Sequence, residues 1–505
     1  MNLSAVLSVL QRRRTSLQLS VTEIAEAVSA RIVAAPNPDA QIASVTWDSR
    51  TASEDSLYIA LAGERVDGHD YVLAAVSAGA RCVLVTRSLP DEVVARVQEL
   101  GAAILLVDDA QASITDLARV WRGRLQGRIV GLTGSNGKTT TKNLVRDVLA
   151  CAGSVTATRG NQNNELGVPN TLLAADADTL NVVVEMGMRG SGQIDSLCSF
   201  VRPDWGIVTQ VGESHIELLG SRENIARAKS ELIAALPEGG VAFLNGADDM
   251  SDFVWECARG AERGVGAVCF DGSGAYREDA VAGWRAGRAV WASDISLDDA
   301  GCASFTLFAR GFSGDAGCES AICSLALSGL HNVHNACAAA AVGLAAGLSF
   351  EAIVEALGAA KPESGRQEML TAREGFTVVN DAYNANPDSM RAALNTFAAM
   401  RVTGSRIAVL GDMGELGDFG PAGHREMGAL AAALGIDRLV SVGDLGSLIA
   451  EAAEKGGMPE DRVFRTADAA GALEVVKGLV GPGDAVLVKA SHSVGLERVV
   501  EGLVD

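Results

Sequence analysis

The sequence predicts an α/β protein of three domains. Short apolar runs typical of buried strands alternate with helical stretches along nearly the whole chain. Aromatic residues make up only 4% of the sequence and glycines number 56, which favours helices packed closely on sheets over an aromatic-rich β-sandwich. The length of 505 residues suits three domains of ordinary size.

The N-terminal domain is predicted to cover residues 1–126. Two short strands are expected first, and two buried strands follow, each after a helical stretch that ends in Gly-Ala. The expected strands are residues 45–47, 57–61, 82–85 and 104–107.

The central domain is predicted to cover residues 127–361. A strand, a glycine-rich loop and a helix open it, and strands alternate with helices afterwards. Residues 270–327 are glycine-rich with short alternating runs, which predicts a β-rich insertion. The expected strands are 129–133, 155–158, 181–184, 206–211 and 241–244, and the expected helices are 139–150, 222–236 and 335–346.

The C-terminal domain is predicted to cover residues 362–505, after the Lys361-Pro362 boundary. Four apolar runs separated by helical stretches predict a parallel sheet of the Rossmann-like kind. The expected strands are residues 377–380, 406–410, 438–442 and 485–488.

The charge and the cysteines exclude several classes of protein. A formal charge of −21 repels nucleic acid and anionic membranes. The nine cysteines form no C-x-x-C pair, which indicates free thiols in a reducing compartment. We see no secretory pattern, and the alanine-rich run at 336–346 is too short to span a bilayer. The sequence therefore predicts a cytoplasmic protein without membrane insertion.

A glycine-rich loop after the strand at 129–133 predicts a nucleotide site. Its pattern G-x-x-G-x-x-G-K-T is a spaced variant of the strict phosphate-loop motif, with Leu132 where that motif has glycine. Loop amides and the helix N-terminus favour phosphate, Lys138 adds a charge at the β and γ phosphates, and the Thr139 hydroxyl is a Mg²⁺ ligand. The residues expected to bind ATP here are Gly134, Asn136, Gly137, Lys138, Thr139 and Thr140.

Three further residues have both a functional and a structural interpretation. Glu185 follows an apolar run, at the strand end where open α/β sheets bind ligands, but it also suits a helix cap or a surface acid. His215 follows the next strand in the same way, although a lone loop histidine is usually not a ligand. Lys229 lies on the apolar stripe of its helix, where a lysine either snorkels to solvent or has a function.

Together these residues resemble the Mur ligases, the ATP-dependent amide-forming enzymes of peptidoglycan synthesis, in order along nearly the whole chain. The segments around Asp48-Ser49-Arg50 and around Gly63-Glu64 resemble the family's domain for binding the uridine diphosphate group. The segment at 160–169, which contains Asn161, Asn163 and Asn164, resembles the one peculiar to the member that adds D-alanyl-D-alanine. The resemblance implies that UDP-N-acetylmuramoyl-tripeptide and D-alanyl-D-alanine are the substrates.

The resemblance also implies the residue roles. ATP and Mg²⁺ would be the cofactors, with catalytic roles for Lys138, Lys229 and His215 and metal ligation by Thr139, Glu185, His215 and a carbamylated Lys229. His331 and Asn332 match the adenine-contacting turn, and Arg366 and Asp381 match the contributions of the C-terminal domain to phosphate and ribose binding. One segment departs from the family, because Lys489-Ala490-Ser491-His492 stands where Lys-Gly-Ser-Arg is common.

Several alternatives remain open at this point. A sister Mur ligase that adds the third residue shares these motifs, and folylpolyglutamate synthase shares the phosphate loop, although the Asn163-Asn164 segment and the Asp48–Arg50 region argue against the latter. A regulatory nucleotide switch without ligase activity is a different class. We expect a monomer, and the sequence leaves open whether the third residue of the tripeptide is lysine or diaminopimelate.

Overall fold

The computed structural model describes residues 17–63, 66–277, 283–312 and 317–504. Its helices and sheets confirm the α/β class. Glu64 and the first 16 residues of the predicted N-terminal domain lie outside the described residues. Within them, no helix combines the length and the apolar character needed to cross a membrane.

The N-terminal region contains a five-stranded sheet. Its elements are β1 (Leu19–Ser20), α1 (Val21–Ala27), β2 (Arg31–Ala34), β3 (Gln41–Ile42), β4 (Ser44–Thr46), β5 (Ser56–Ile59), α2 (Val72–Ser77), β6 (Cys82–Val85), α3 (Asp91–Glu99), β7 (Ala103–Leu106) and α4 (Ala110–Arg122). The sheet has the order β2-β7-β6-β5-β4. The pairings among β4, β5, β6 and β7 are parallel and confirm the predicted strands, whereas the edge strand β2 is antiparallel to β7.

The central region begins with the strand and helix that flank the glycine-rich loop. Its elements are β8 (Arg128–Thr133), α5 (Lys138–Ala150), β9 (Val155–Ala157), α6 (Gly167–Leu173), β10 (Asn181–Glu185), α7 (Gln193–Val201), β11 (Trp205–Val208), α8 (Ile216–Leu219), α9 (Arg222–Ala234), β12 (Val241–Asn245), α10 (Ser251–Cys257), β13 (Gly266–Asp271), β14 (Arg288–Leu297), β15 (Cys302–Arg310), β16 (Cys318–Ser328), α11 (His331–Ala345) and α12 (Phe350–Gly358). Strands β14, β15 and β16 pair antiparallel, which confirms the predicted β-rich insertion.

The C-terminal region forms a six-stranded sheet. Its elements are β17 (Glu368–Thr371), β18 (Thr377–Asn380), α13 (Pro387–Ala399), β19 (Arg406–Gly411), α14 (Gly420–Ala433), β20 (Arg438–Val442), α15 (Gly446–Lys455), β21 (Val463–Thr466), α16 (Ala469–Leu479), β22 (Ala485–Lys489) and α17 (Glu497–Val504). The sheet has the order β17-β18-β22-β19-β20-β21. All pairs are parallel except β17 with β18, so the predicted parallel sheet is confirmed and gains an edge strand on each side.

The described chain groups into two compact units. The first contains the described residues up to Gly131 together with Gly153–Gly187 and Ile194–Trp205, and the second contains Leu132–Ala152, Met188–Gln193 and the chain from Gly206 onward. The glycine-rich loop, His215, Lys229 and the whole C-terminal sheet thus belong to the second unit, whereas Glu185 belongs to the first. The domain boundaries at 126 and 361 stay a prediction.

Candidate active site

The glycine-rich loop is a tight turn between β8 and α5 that only glycines permit. Gly134 has φ 156° and Gly137 has φ 77°, both in the region that disfavours side chains. A Cβ at Gly134 would lie 1.8 Å from the Thr209 hydroxyl, and a Cβ at Gly137 would lie 2.5 Å from the Asn335 amide oxygen. The turn brings together all six predicted ATP-binding residues of this segment: Gly134, Asn136, Gly137, Lys138, Thr139 and Thr140.

The polar groups of this loop suit an anionic ligand. Lys138 Nζ donates to the carbonyl oxygens of Gly134 at 2.8 Å and Ser135 at 3.2 Å, so the ammonium lies over the loop. The Ser135 hydroxyl and the Asn136 amide nitrogen are buried and have no hydrogen-bond partner among the described residues. Because buried polar groups are normally satisfied, these atoms fit a bound phosphate group.

Lys229 is enclosed in the protein, 1% exposed, on the inner face of α9. The interpretation that it snorkels to solvent is therefore wrong. Burial lowers the pKa of Lys229 well below its usual value, and the nearby Lys138 charge lowers it further, while Asp248 opposes the shift. These conditions favour a neutral amine.

Asp248 is a buried carboxyl group that the sequence analysis missed. It accepts the backbone N–H groups of Val211 at 2.7 Å and Met250 at 3.0 Å. Burial raises the pKa of Asp248 to about 6. The only sequence feature that pointed to Asp248 was its position three residues after Asn245, where the buried strand β12 ends.

His215 opens the short helix α8 in a left-handed conformation, with φ 66°. Its Nδ1 pairs with the carboxylate of Glu415, 200 residues away in sequence. Burial lowers the pKa of His215 most, the charges of Lys138 and Lys229 lower it too, and Glu415 opposes them. The three predicted catalytic residues are therefore close enough to interact electrostatically.

Asn386 ties the C-terminal region to the phosphate loop. Its side chain caps α13 and forms a capping box with Ser389. The same amide donates to the Asn136 side chain at 2.7 Å and to the Ser214 hydroxyl at 2.6 Å. No local sequence pattern predicts this bridge.

The predicted adenine turn begins helix α11 at His331, one turn earlier than expected. The Asn332 amide donates to the Ser328 carbonyl at 2.7 Å, and Asn335 donates to Asn332 at 2.8 Å. The Asn335 oxygen in turn accepts the hydroxyl of Thr141 on α5 at 3.0 Å, so the turn is joined to the helix that follows the phosphate loop. His331 Nδ1 is buried without a hydrogen-bond partner among the described residues, which fits a ligand contact.

Arg366 and Asp381 lie on neighbouring segments of the C-terminal region. The Arg366 guanidinium sits over the Tyr383 ring, 4.2 Å from its centroid. The Asp381 carboxylate forms an ion pair with Lys489 at 2.7 Å, and Lys489 also donates to the Asn384 carbonyl at 2.9 Å. Lys489, the first residue of the segment 489–492, is thus a buried structural partner of Asp381.

The two residues that depart from the family pattern differ in environment. Ala490 is fully buried, and a Cβ at Gly411 would lie 2.8 Å from its methyl group, so a glycine on β19 accommodates it. The side chain of His492 is 77% exposed and pairs with Glu497 at 2.6 Å. An exposed imidazole therefore stands in place of the family's guanidinium.

Glu185 and the asparagine loop form a connected group in the first unit. Asn163 donates to the Glu185 carboxylate at 2.8 Å, and Glu185 N–H donates to the Thr158 hydroxyl at 2.9 Å. Glu185 is 1% exposed, so the surface-acid interpretation is wrong. Asn164 accepts the Gly167 N–H at 3.0 Å at the start of α6, and Asn161 is exposed.

The Asp48–Arg50 segment forms a turn of 3-10 helix at Ser49–Thr51. Asp48 caps it by accepting the Arg50 N–H at 3.0 Å, and its carboxylate pairs with the Arg50 guanidinium at 2.7 Å. Arg50 lowers the pKa of Asp48 to about 2. The pair keeps both charged side chains at the surface, beside Ser49.

Three family models match consecutive parts of the chain. The model of the Mur ligase family catalytic domain matches residues 41–122, the Mur ligase middle domain matches 132–343, and the Mur ligase glutamate ligase domain matches 365–492.

Relatives with assigned activities align over almost the full length. The UDP-N-acetylmuramoyl-tripeptide–D-alanyl-D-alanine ligase of Bacillus subtilis is 35% identical, covering 97% of this chain and 99% of its own. The ligase of the same name from Mycobacterium tuberculosis strain H37Rv is 38% identical, with 97% and 98% coverage.

Solved structures of MurF ligases resemble this fold. MurF from Acinetobacter baumannii superposes with a TM-score of 0.80 at 29% identity, covering 97% of this chain and 99% of that one. MurF ligase from Thermotoga maritima in complex with ADP superposes with a TM-score of 0.71 at 25% identity, covering 91% and 96%. The chain belongs to the Mur ligase family.

Proposed function

We propose that this chain is an ATP-dependent ligase that joins D-alanyl-D-alanine to UDP-N-acetylmuramoyl-tripeptide in peptidoglycan precursor synthesis. The observation that carries the proposal is the phosphate loop itself, whose Lys138 lies near the buried Lys229 and His215 and whose Ser135 and Asn136 present unsatisfied buried polar atoms. The named activities of the full-length relatives support the choice of substrates.

The chemistry requires activation of a carboxylate. A carboxylate does not react with an amine at neutral pH, because hydroxide is a poor leaving group. The γ-phosphoryl group of ATP moves to the substrate carboxylate, with release of ADP. The amine of the dipeptide then attacks the carbonyl carbon, phosphate leaves, and the nitrogen loses a proton. No protein nucleophile takes part, so positioning and charge neutralisation provide the catalysis.

The nucleotide-binding residues have different roles in this reaction. Lys138 and the loop amides neutralise charge that develops on the transferred phosphoryl group. His331 and Asn332 bind adenine, Asp381 binds ribose, and Arg366 supplies a further cation for the phosphates. The likeness to the ADP-bound ligase of Thermotoga maritima supports nucleotide binding.

Magnesium is the proposed second cofactor, and it would neutralise and orient the phosphate oxygens. The proposed ligands are Thr139, Glu185, His215 and a carbamylated Lys229. The buried hydroxyl of Thr139 and the buried carboxylate of Glu185 are oxygen donors of the kind that Mg²⁺ prefers. The neutral state favoured for Lys229 is the one that would react with CO₂, with release of a proton, to give a carbamate that is an anionic oxygen donor.

The remaining sites concern the other substrates. Asp48, Ser49 and Arg50 are proposed to bind the uridine diphosphate group. Asn161, Asn163 and Asn164 are proposed to border the peptide terminus and the incoming dipeptide, because amide side chains both donate and accept hydrogen bonds. We further propose that the protein acts as a monomer in the cytoplasm.

Substitution of Lys138 tests the proposal. Lys138→Ala should lower the rate of ADP release by roughly a hundredfold or more, since contacts of this kind contribute on the order of 3–4 kcal/mol to the transition state. The assay contains ATP, UDP-muramoyl-tripeptide and D-alanyl-D-alanine, and an unchanged melting temperature shows that the variant is folded. Near-normal turnover by the variant would reject the phosphate-loop assignment, and turnover without peptide substrates would favour a nucleotide switch.

A further inference from the structure

Glu415 is carried by a loop whose two preceding residues are anchored. The preceding Met413 N–H donates to His424 Nε2 at 2.9 Å, and the Gly414 N–H donates to the Ser491 hydroxyl at 2.8 Å. Both acceptors belong to other elements of the C-terminal region. The position of Glu415 is therefore set before any substrate arrives, which is a property of binding sites rather than of free surface loops.

The backbone of Glu415 is strained. Its φ of 59° places a non-glycine residue in the left-handed region, where a glycine would cost less. Such conformations persist when the surrounding structure holds them, and they concentrate at functional sites. Here the conformation aims the carboxylate at His215 Nδ1 and at the Arg189 guanidinium, 3.0 Å away.

The carboxylate remains open to solvent although it is paired. The side chain of Glu415 is 37% exposed, and that of its partner Arg189 is 73% exposed. By contrast, Asp248 near Lys229 is buried and already accepts two backbone N–H groups. An incoming molecule can therefore reach Glu415 without unfolding a buried hydrogen-bond network.

The basic groups around Glu415 disfavour the binding of a cation. Lys138 acts electrostatically on His215, the partner of Glu415, and Arg189 adds a second positive charge beside Glu415. The reaction nevertheless needs a dipeptide whose amino group is an ammonium ion at neutral pH. An ammonium ion that binds among basic groups needs a carboxylate as its partner.

We propose that Glu415 binds the ammonium group of the incoming dipeptide and holds that nitrogen next to the acyl phosphate. The inference rests on the proposed function, which it extends to the recognition of the second substrate. Glu415 exchanges one of its protein partners for the substrate ammonium by a charge-assisted hydrogen bond. The carboxylate orients the dipeptide. The ammonium first gives one proton to solvent, because only the free amine has the lone pair that attacks the carbonyl carbon. The C–O bond to phosphate then breaks, and the second proton passes to solvent as the amide forms.

The first test varies the dipeptide concentration at saturating ATP and UDP-muramoyl-tripeptide. Glu415→Gln keeps the shape but removes the charge, so the KM for D-alanyl-D-alanine should rise about tenfold or more while the KM for ATP stays within about twofold. Glu415→Asp keeps the charge and should recover part of the loss. Asp418→Asn removes an exposed carboxylate three residues away and serves as the matched control.

The second test replaces the dipeptide with hydroxylamine, which is largely uncharged at neutral pH and traps an acyl phosphate as a hydroxamate. Glu415→Gln should form hydroxamate at the wild-type rate while its ligation of dipeptide falls. An unchanged KM for the dipeptide would overturn the inference. An equal loss of both products with a higher Mg²⁺ requirement would instead make Glu415 a metal ligand. If the wild type forms neither product, the proposed function itself fails.

Discussion

Two buried lysines of this molecule have opposite surroundings. Lys489, at the end of β22, faces the Asp381 carboxylate at 2.7 Å and donates to a backbone carbonyl. Lys229, on α9, lies near a second lysine, and burial together with that charge lowers its pKa. The comparison teaches that burial alone does not identify a functional lysine. A buried lysine paired with a carboxylate contributes to structure, whereas burial beside another lysine favours the neutral amine.

Removal of the Lys229 amine should have the largest effect on activity. Lys229→Ala should lower ligation by about a hundredfold or more, because the anionic ligand formed from this side chain is lost. The melting temperature should not fall by much, since the variant removes a costly buried amine. Added formate or acetate should restore part of the rate by filling the vacated anionic position. Wild-type rates without additive would return Lys229 to a purely structural role.

Removal of the Lys489 amine should have the largest effect on stability. Lys489→Ala leaves the Asp381 carboxylate uncompensated in a largely buried position. Breaking such a pair costs about 3–5 kcal/mol in the free energy of unfolding, which a denaturant titration measures. Short carboxylic acids should restore nothing here. A loss below about 1 kcal/mol would mean that the pair is screened by solvent and would weaken the contrast between the two lysines.

Asp248, which acts electrostatically on Lys229, allows a smaller test by pH. The pKa of Asp248 is about 6 in the folded protein against an ordinary value of 3.8, so its protonated form stabilises the fold below pH 3.8 and that contribution is lost as the pH rises through 6. Asp248→Asn stays neutral at every pH. Its free energy of unfolding should therefore improve relative to wild type between about pH 4 and pH 6 and level off above. A difference independent of pH would contradict the raised pKa.

Local sequence patterns predicted much of the fold and part of the site. The phosphate loop and the placement of Lys229 on a buried helix face depend on residues within one or two helical turns of each other. Both could therefore be predicted from the local sequence. Strands β17 and β21 were missed because they are short edge strands with mixed burial and no continuous apolar run.

The contacts that complete the site could not be predicted, because they join residues distant in sequence. The Glu415 carboxylate meets His215 across 200 residues, and Asn386 meets Asn136 across 250. Neither pairing leaves a periodic signal, since each depends on how the C-terminal region packs against the phosphate loop. Asp248 had a local signal, its place after a strand end, but only the fold shows that it is buried near Lys229.

The most direct measurement of the central claim is the choice of acceptor. Purified protein is given ATP with UDP-muramoyl-tripeptide and D-alanyl-D-alanine, or with UDP-muramoyl-dipeptide and either lysine or diaminopimelate, and the ligated product is quantified by mass spectrometry. We predict product with the tripeptide and D-alanyl-D-alanine, at a rate far above the other combinations, because a site whose hydrogen-bonding groups match the dipeptide leaves some of them unpaired with a single amino acid. Preferential ligation of lysine or diaminopimelate to the dipeptide precursor would contradict the account and identify a ligase that adds the third residue.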